Sequence, residues 1–395
     1  MRIAMVAPLD MRVPPIGYGG TELVVSLLTE ELVRRGHDVT LFASGDSITG
    51  AKLFSVCPRF LRGSSREGGV LSLLNVVACL ERAGEFNIIH NHTYLEGLAT
   101  AGLVRTPVLT TLHGVLSGDG LFLFEHYRGW YNTISRSAKS LLPPKERFAG
   151  VIYNAIDCTS YPFNGGRRDE HLLFLSRMSH EKGPHLAIEV ARQLNMRLVM
   201  AGNVHPLDRE YFQSQVLPHV DGDAIQYVGE ADYQRKRELL ARARCLLAPI
   251  TWDEPFGLYM AEAMACGTPV VVFDRGSAPE VVRHGVTGYV VNTVAEMAEA
   301  VRQVPQIDPK NCRDHVVRNF DVPRMVDDYL SAYQRVLEAE GFASPTSIVI
   351  SPVTDTIPYT VSDVVTSEGP VPAAQMGKAE VRSGAEESNN EPTPG

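Results

Sequence analysis

No two cysteines in this chain stand at C-x-x-C spacing. The six, Cys57, Cys79, Cys158, Cys245, Cys266 and Cys312, are scattered through 395 residues. That pattern argues against a disulfide framework and reads as reduced thiols inside an intracellular, cytosolic protein. No hydrophobic run approaches the length of a membrane span, and the apolar stretch of MRIAMVAPLD is too short for a signal peptide. Positive charge is also in short supply. Lys and Arg number 37 against 46 Asp and Glu, a net −9, which disfavours non-specific binding to nucleic acid. Residues 343–395 hold seven acids and two bases, so −5 of that charge lies there and about −4 in the rest. Charge alone therefore selects no partner.

What is present is an ordinary globular composition, 44% hydrophobic and 21% charged, at a length that suggests two domains plus extras. Arg2 to Ala7 reads as a strand. A long loop follows, closing in Gly17-Tyr18-Gly19-Gly20-Thr21-Glu22. Leu23, Val24, Leu27, Leu28 and Leu32 then recur at helical period, and Arg34, Arg35 and Gly36 end the helix. Val39 to Phe42 is the next strand. A glycine turn at a helix N-terminus offers N–H groups to a phosphate, but this one is not the dinucleotide fingerprint. It is separated from its strand, and Glu22 stands where the third glycine of G-x-G-x-x-G would fall. A tight turn needing positive φ explains one of its two adjacent glycines equally well.

Strands at Phe86–His90 and Pro107–Leu112 end in His90-Asn91-His92 and His113-Gly114, at the carboxyl ends where parallel sheets bind ligands. Read as metal ligands, these histidines lack a carboxylate or cysteine at ligand spacing. Asp119 to Tyr127 reads as a helix whose aromatics serve core packing, with an acceptor pocket as the alternative. Cys158 to Glu170 reads as a linker. A second alternating half follows, with strands at Leu172–Leu175, Arg197–Ala201, Ile225–Val228, Cys245–Leu247 and Val270–Phe273. Its helices begin at His185, Arg209 and Asp232, and six strands in all complete a doubly wound sheet. Helices at Val294–Val304, Lys310–Phe320 and Val322–Glu340 finish the fold. From about Phe342 periodicity is lost and a disordered tail, 342–395, is expected, with 347–350 as its one candidate edge strand.

Two features of the second half point to chemistry. Arg177 and Lys182 lie five apart in a loop beyond a strand end, where a guanidinium fork and an ammonium can converge on one diphosphate. In WDEPFGLYMAEAMACGTPVVVF, Glu254 precedes a helix and Glu262 sits within it among Leu258, Met260, Ala261, Ala263, Met264 and Ala265. A carboxylate on so apolar a helix needs a partner, because burying even a neutral polar group unpaired costs roughly 2–7 kcal/mol. A ligand is the expected partner. A dipole-favoured Glu and a second Glu paired to a core Arg would be the purely structural explanation.

The Glu254 to Glu262 spacing, with Pro255-Phe256-Gly257 between and Gly267-Thr268-Pro269-Val270 after, resembles the E-x7-E motif of retaining glycosyltransferases of family 4. Ser176-Arg177-x-x-x-Glu181-Lys182-Gly183 fits the same family, and Val151 to Asp157 resembles its P-N-G-[IV]-D crossing, with Tyr153 and Ala155 replacing Pro and Gly. The resemblance covers residues 1–340 and implies the GT-B fold: two doubly wound α/β Rossmann-like domains facing each other across a cleft. It sets an acceptor-side domain at 1–157, a donor-side domain at 158–321 and a C-terminal helix at about 322–340 that returns to the first domain. It further implies transfer of a sugar from a UDP- or GDP-sugar to an acceptor hydroxyl, with retained anomeric configuration and without a metal or other cofactor. By that resemblance His113, Glu254, Arg177 and Lys182 are catalytic. Gly19, Gly20, Gly202, Phe256, Gly257, Leu258 and Glu262 bind the donor, with Gly202 and Val228-Gly229-Glu230 near the base and Glu262 on both ribose hydroxyls. The acceptor is a small molecule, a polysaccharide or a lipid-linked group, and peripheral membrane contact is left open. A sugar-nucleotide epimerase or phosphorylase on the same plan, or a non-catalytic binding module, is the alternative.

Overall fold

A computed structural model describes residues 1–17, 19–63, 68–166 and 168–342. Tyr18 of the glycine turn, the expected tail from residue 343 onward and its edge strand lie outside them. Among the described residues, runs of apolar sequence form two parallel sheets. The first contains β1 (Arg2–Val6), β2 (Asp38–Phe42), β3 (Lys52–Phe54), β4 (Ile88–Asn91), β5 (Val108–Leu112), β6 (Trp130–Thr133) and β7 (Phe148–Val151). The second contains β8 (Leu172–Leu175), β9 (Leu198–Ala201), β10 (Ile225–Tyr227), β11 (Cys245–Ala248), β12 (Val270–Phe273) and β13 (Gly288–Val291). Strand orders are β3-β2-β1-β4-β5-β6-β7 and β10-β9-β8-β11-β12-β13.

The order reverses direction between β1 and β4 in one sheet and between β8 and β11 in the other. There Ile3 pairs with Ile88, and Leu172 with Cys245. Helices on either side of such a reversal diverge, leaving a crevice beyond the strand ends. Except for Val228-Gly229-Glu230, which follow the edge strand β10, every expected site residue lies on a loop or helix that follows one of these central strands or their neighbours.

Four strands go beyond the ranges read from sequence: β3, β6, β7 and β13. β3 is short and largely exposed, β6 mixes aromatic with polar residues, β7 carries Gly150, and β13 starts at Gly288. None is a plain apolar run, so their pairing partners rather than their composition make them strands.

The two chain crossings between the halves pair with each other, since Ile156 N–H donates to the Phe320 carbonyl at 3.0 Å and Ile156 bridges Asp321 in parallel. Tyr153, the departure from the family pattern, sits edge-on to Phe320 at 5.6 Å and donates to Glu280 at 2.8 Å. It therefore ties the crossing to the second half. The Val322–Ala339 helix then buries Met325, Val326, Tyr329, Tyr333 and Val336 against Val24, Val25, Leu28 and Leu32 of the Gly20–Arg34 helix. Among the described residues no helix is long and apolar enough to cross a membrane.

Candidate active site

The loop after β11 leads from Pro249 into the Leu258–Ala265 helix, and its turn is made by Gly257, whose φ of +78° suits glycine. Just before that turn, Glu254 is buried. Its Oε2 accepts from Lys182 Nζ at 2.5 Å, and from Trp252 Nε1 and Tyr259 OH at 3.3 Å each. The ammonium also faces the Trp252 ring at 4.4 Å and the Tyr259 ring at 5.7 Å. Three donors and two π faces thus stabilise a charge pair whose desolvation alone would cost several kcal/mol per ion. Glu254 Oε1 keeps no partner among the described residues, nor do the backbone N–H groups of Phe256 and Gly257. The Phe256 side chain is buried against Phe320, so whatever it offers a ligand comes from its backbone.

Glu262 is likewise buried, and the chain itself supplies it with partners. Oε1 accepts from Lys236 Nζ at 2.5 Å and from Tyr161 OH at 2.8 Å. Burial of that carboxylate is thus compensated within the chain and does not by itself call for the ligand expected as its partner. Lys236 comes from the Tyr233–Arg242 helix, and its ammonium rests beside the Tyr161 and Tyr233 rings. Both resident bonds fall on Oε1, leaving Oε2 for another donor.

Arg177 and Lys182 both lie in the loop after β8, yet neither is a free cation. Arg177 Nη2 donates to Glu181, with Nε 3.5 Å from Asp208, while Lys182 is held by Glu254. A diphosphate would have to draw both away from carboxylates. Gly202, after β9, has φ +152°, and a Cβ there would fall 1.8 Å from the Ser176 carbonyl oxygen. Its N–H donates to Gly229 O at 2.9 Å and its carbonyl accepts from Tyr227 OH at 2.8 Å. Gly202 thus permits close contact between loops, and both of its polar groups are already bonded.

The glycine turn reaches the second half. A Cβ on Gly20 would lie 3.5 Å from Leu258 Cδ1, and one on Gly17 2.8 Å from Glu230 Oε1. Leu258 packs against the hydrophobic clusters of both halves. Neither Gly19 nor Gly20 has positive φ, so the tight-turn explanation fails for both. Gly19 instead caps the helix in extended backbone, where a Cβ would meet Pro15 Cβ at 2.7 Å. Beside it Glu22 is buried, and desolvation raises its carboxyl above the usual range.

Across the first sheet's reversal lies a cavity of about 420 Å³. It is walled by Pro8, Leu9 and Asp10 after β1, His92 to Tyr94 after β4, Leu112 to Gly114 at the end of β5, and Thr21 and Ser72 from helices. His113 Nε2 is 2.8 Å from His92 Nδ1, and burial lowers its imidazole to about 4. His90 is structural, held by Tyr333 OH at 2.6 Å and Thr111 Oγ1 at 2.7 Å. In the Asp119–His126 helix, Phe124 packs edge-on to Tyr131 at 4.9 Å and the following Tyr127 donates to Thr110 at 2.9 Å, so both serve the core. Sequence reasoning missed Lys236, Tyr161 and Trp252. Trp252 alone had a signal, its place two residues before Glu254.

Two family models match: Glycosyltransferase Family 4 over residues 18–159 and Glycosyl transferases group 1 over residues 163–315. The alpha-maltose-1-phosphate synthase of Mycolicibacterium smegmatis is 27% identical over 401 residues, covering 85% of this chain and 100% of its own. A glycosyltransferase involved in avilamycin A biosynthesis superposes with TM-score 0.66 at 25% identity, over 86% of this chain and 98% of its own. An Anabaena protein solved with UDP and glucose gives TM-score 0.66 at 21% identity, over 86% and 100%, a likeness of fold. With two facing parallel sheets, a Glu254 to Glu262 motif on the second and both family models in chain order, the chain belongs to the group 1, family 4 glycosyltransferases of GT-B fold.

Proposed function

We propose that the protein transfers a sugar from a nucleotide diphosphate donor to an acceptor hydroxyl with retention of configuration. The donor nucleotide and diphosphate lie over the ends of β8 and β11, and the acceptor enters the cavity beyond β1 and β4. One observation carries this reading: among the described residues, Glu254 Oε1 and the N–H groups of Phe256 and Gly257 have no partner, and the buried Lys182 ammonium lies beside them. The C1–O bond to the diphosphate breaks while the acceptor oxygen bonds C1 on the same face, and the acceptor proton passes to the leaving phosphate oxygen. Lys182, Arg177 and the first turn of the Gly20–Arg34 helix stabilise the negative charge that develops. Glu254 Oε1 takes a hydroxyl of the sugar, Glu262 Oε2 one of the ribose, and the chain's own cations and amides do the work of charge neutralisation without a metal.

The test is incubation with UDP-glucose or GDP-mannose and a panel of hydroxyl acceptors, with the anomeric configuration of the product read by proton NMR. Retention supports the reading. An inverted product overturns the mechanism, and products formed without acceptor point to an epimerase or phosphorylase.

A further inference from the structure

Behind His113 stand Met5 in β1 and His92 just past β4, both buried. His92 Nε2 lies 3.0 Å from Met5 Sδ, and His92 Nδ1 lies 2.8 Å from His113 Nε2. The two rings are stacked, with centroids 5.1 Å apart. A thioether carries no proton and can only accept, so the contact with Met5 puts the His92 proton on Nε2. A neutral imidazole protonated there has a bare Nδ1, which in turn can only accept. The proton between the rings therefore belongs to His113 Nε2, and His113 is left with a bare Nδ1. The reverse arrangement would set the His92 Nε2 lone pair against sulfur lone pairs at 3.0 Å and forfeit one hydrogen bond. Burial keeps both imidazoles below their usual range and so neutral near pH 7.

His113 lines the cavity, and no described residue bonds its Nδ1. We propose that Met5 and His92 are positioning residues that hold His113 as the Nε2–H tautomer, so that it presents Nδ1 as an acceptor to a ligand hydroxyl in the cavity. The ligand group at this point must then donate a hydrogen bond, and the ring serves neither as a general acid nor as an oxyanion donor. That the hydroxyl belongs to a sugar or an acceptor rests on the glycosyltransferase reading; the tautomer does not.

The experiment is nitrogen-15 NMR of the full chain labelled at histidine, for the wild type and Met5→Leu, with UDP-glucose turnover followed in parallel. In the wild type, His113 Nδ1 should show the unprotonated shift and Nε2 the protonated one. In Met5→Leu, His92 should lose its single-tautomer pattern, His113 should become a mixture, and kcat should fall at least about threefold, roughly 0.7 kcal/mol, with KM for UDP-glucose little changed. A wild-type His113 protonated at Nδ1 overturns the proposal, as do unchanged histidine signals in Met5→Leu. If the variant fails to fold, the wild-type spectrum decides by itself. Absence of sugar transfer with every donor would sink the glycosyltransferase reading and leave the tautomer result standing.

Discussion

Lys182 and Glu254, 72 residues apart in sequence, meet at 2.5 Å with both side chains only 7% exposed. Glu262, eight residues further along the chain, has its own lysine at the same distance, Lys236. Both carboxylates of the E-x7-E motif are thus neutralised by the chain itself in the ligand-free protein. If the proposed donor site is right, a donor bringing two phosphate charges would compete with Glu254 for Lys182 and free Glu254 to receive the sugar.

Lys182→Ala should damage stability and chemistry together. It strands a buried carboxylate, which costs about 3–5 kcal/mol, and it removes a transition-state donor worth about 100-fold in turnover. The paired variant Lys182→Met with Glu254→Gln should recover most of the urea midpoint and none of the turnover. A single variant of wild-type stability would show that the pair is not buried in solution.

Arg177→Ala should separate the two effects. Its partners Glu181 and Asp208 are partly exposed, so stability should change by less than about 1 kcal/mol while turnover falls about 100-fold. Near-normal turnover with UDP-glucose would remove Arg177 from the diphosphate site.

Glu262→Gln keeps an acceptor for Tyr161 but leaves the Lys236 ammonium without its counter-charge. Because Lys236 is partly exposed, water can compensate, and the loss should stay near 1–3 kcal/mol. Calorimetry with UDP should show affinity weakened about tenfold, or 1.4 kcal/mol. Unchanged affinity would mean that Oε2 does not hold the ribose.

These residues differ in how well sequence announces them. Glu254 and Glu262 stand out because carboxylates interrupt an apolar run, and Arg177 and Lys182 because they crowd one strand-end loop. Lys236 does not, since it sits in YQRKREL between Arg235 and Arg237, and only the fold decides which cation reaches Glu262. The contact of Met5 with His92 depends on β1 lying beside β4, a crossover that no local pattern encodes. The opposite failure occurs at Gly19 and Gly20, where composition suggests a positive-φ turn and the backbone shows an extended cap followed by a helix start. The strands β8, β9, β11 and β12 are legible for the simple reason that burial on both faces demands continuous apolar residues.

Gly20 and Gly202 should respond differently to alanine. At Gly20 the added Cβ makes ordinary contact with Leu258, so Gly20→Ala should fold with an unchanged or slightly raised Tm while KM for UDP-glucose rises, the methyl group standing where phosphate approaches. At Gly202 the methyl would collide with the Ser176 carbonyl and adopt a strained φ, at a cost of about 1–3 kcal/mol for the φ alone. If Gly20→Ala has normal KM, the glycine turn is not a phosphate site.

The buried histidines fix how stability should depend on pH. Burial lowers His113 to about 4 and holds His90 and His92 well below the imidazole range. Half-buried His37, next to the N-terminal amine, is also lowered to about 4. In the unfolded chain these groups titrate near 6.5. The unfolded state therefore takes up protons that the folded state refuses, and stability present above pH 6.5 is lost as pH falls toward 4. Each fully buried histidine contributes a slope of up to about 1.4 kcal/mol per pH unit in that window. Glu22 works in the opposite sense, because its raised carboxyl favours folding as it protonates, but its gain begins only as the medium approaches its own folded value. Urea midpoints should thus fall steeply between pH 6.5 and 5, and His113→Gln should flatten the slope by about one histidine's share. A wild-type midpoint that is level across that range would mean that the His90, His92 and His113 rings are hydrated in solution, and the His92 to His113 hydrogen bond would go with them.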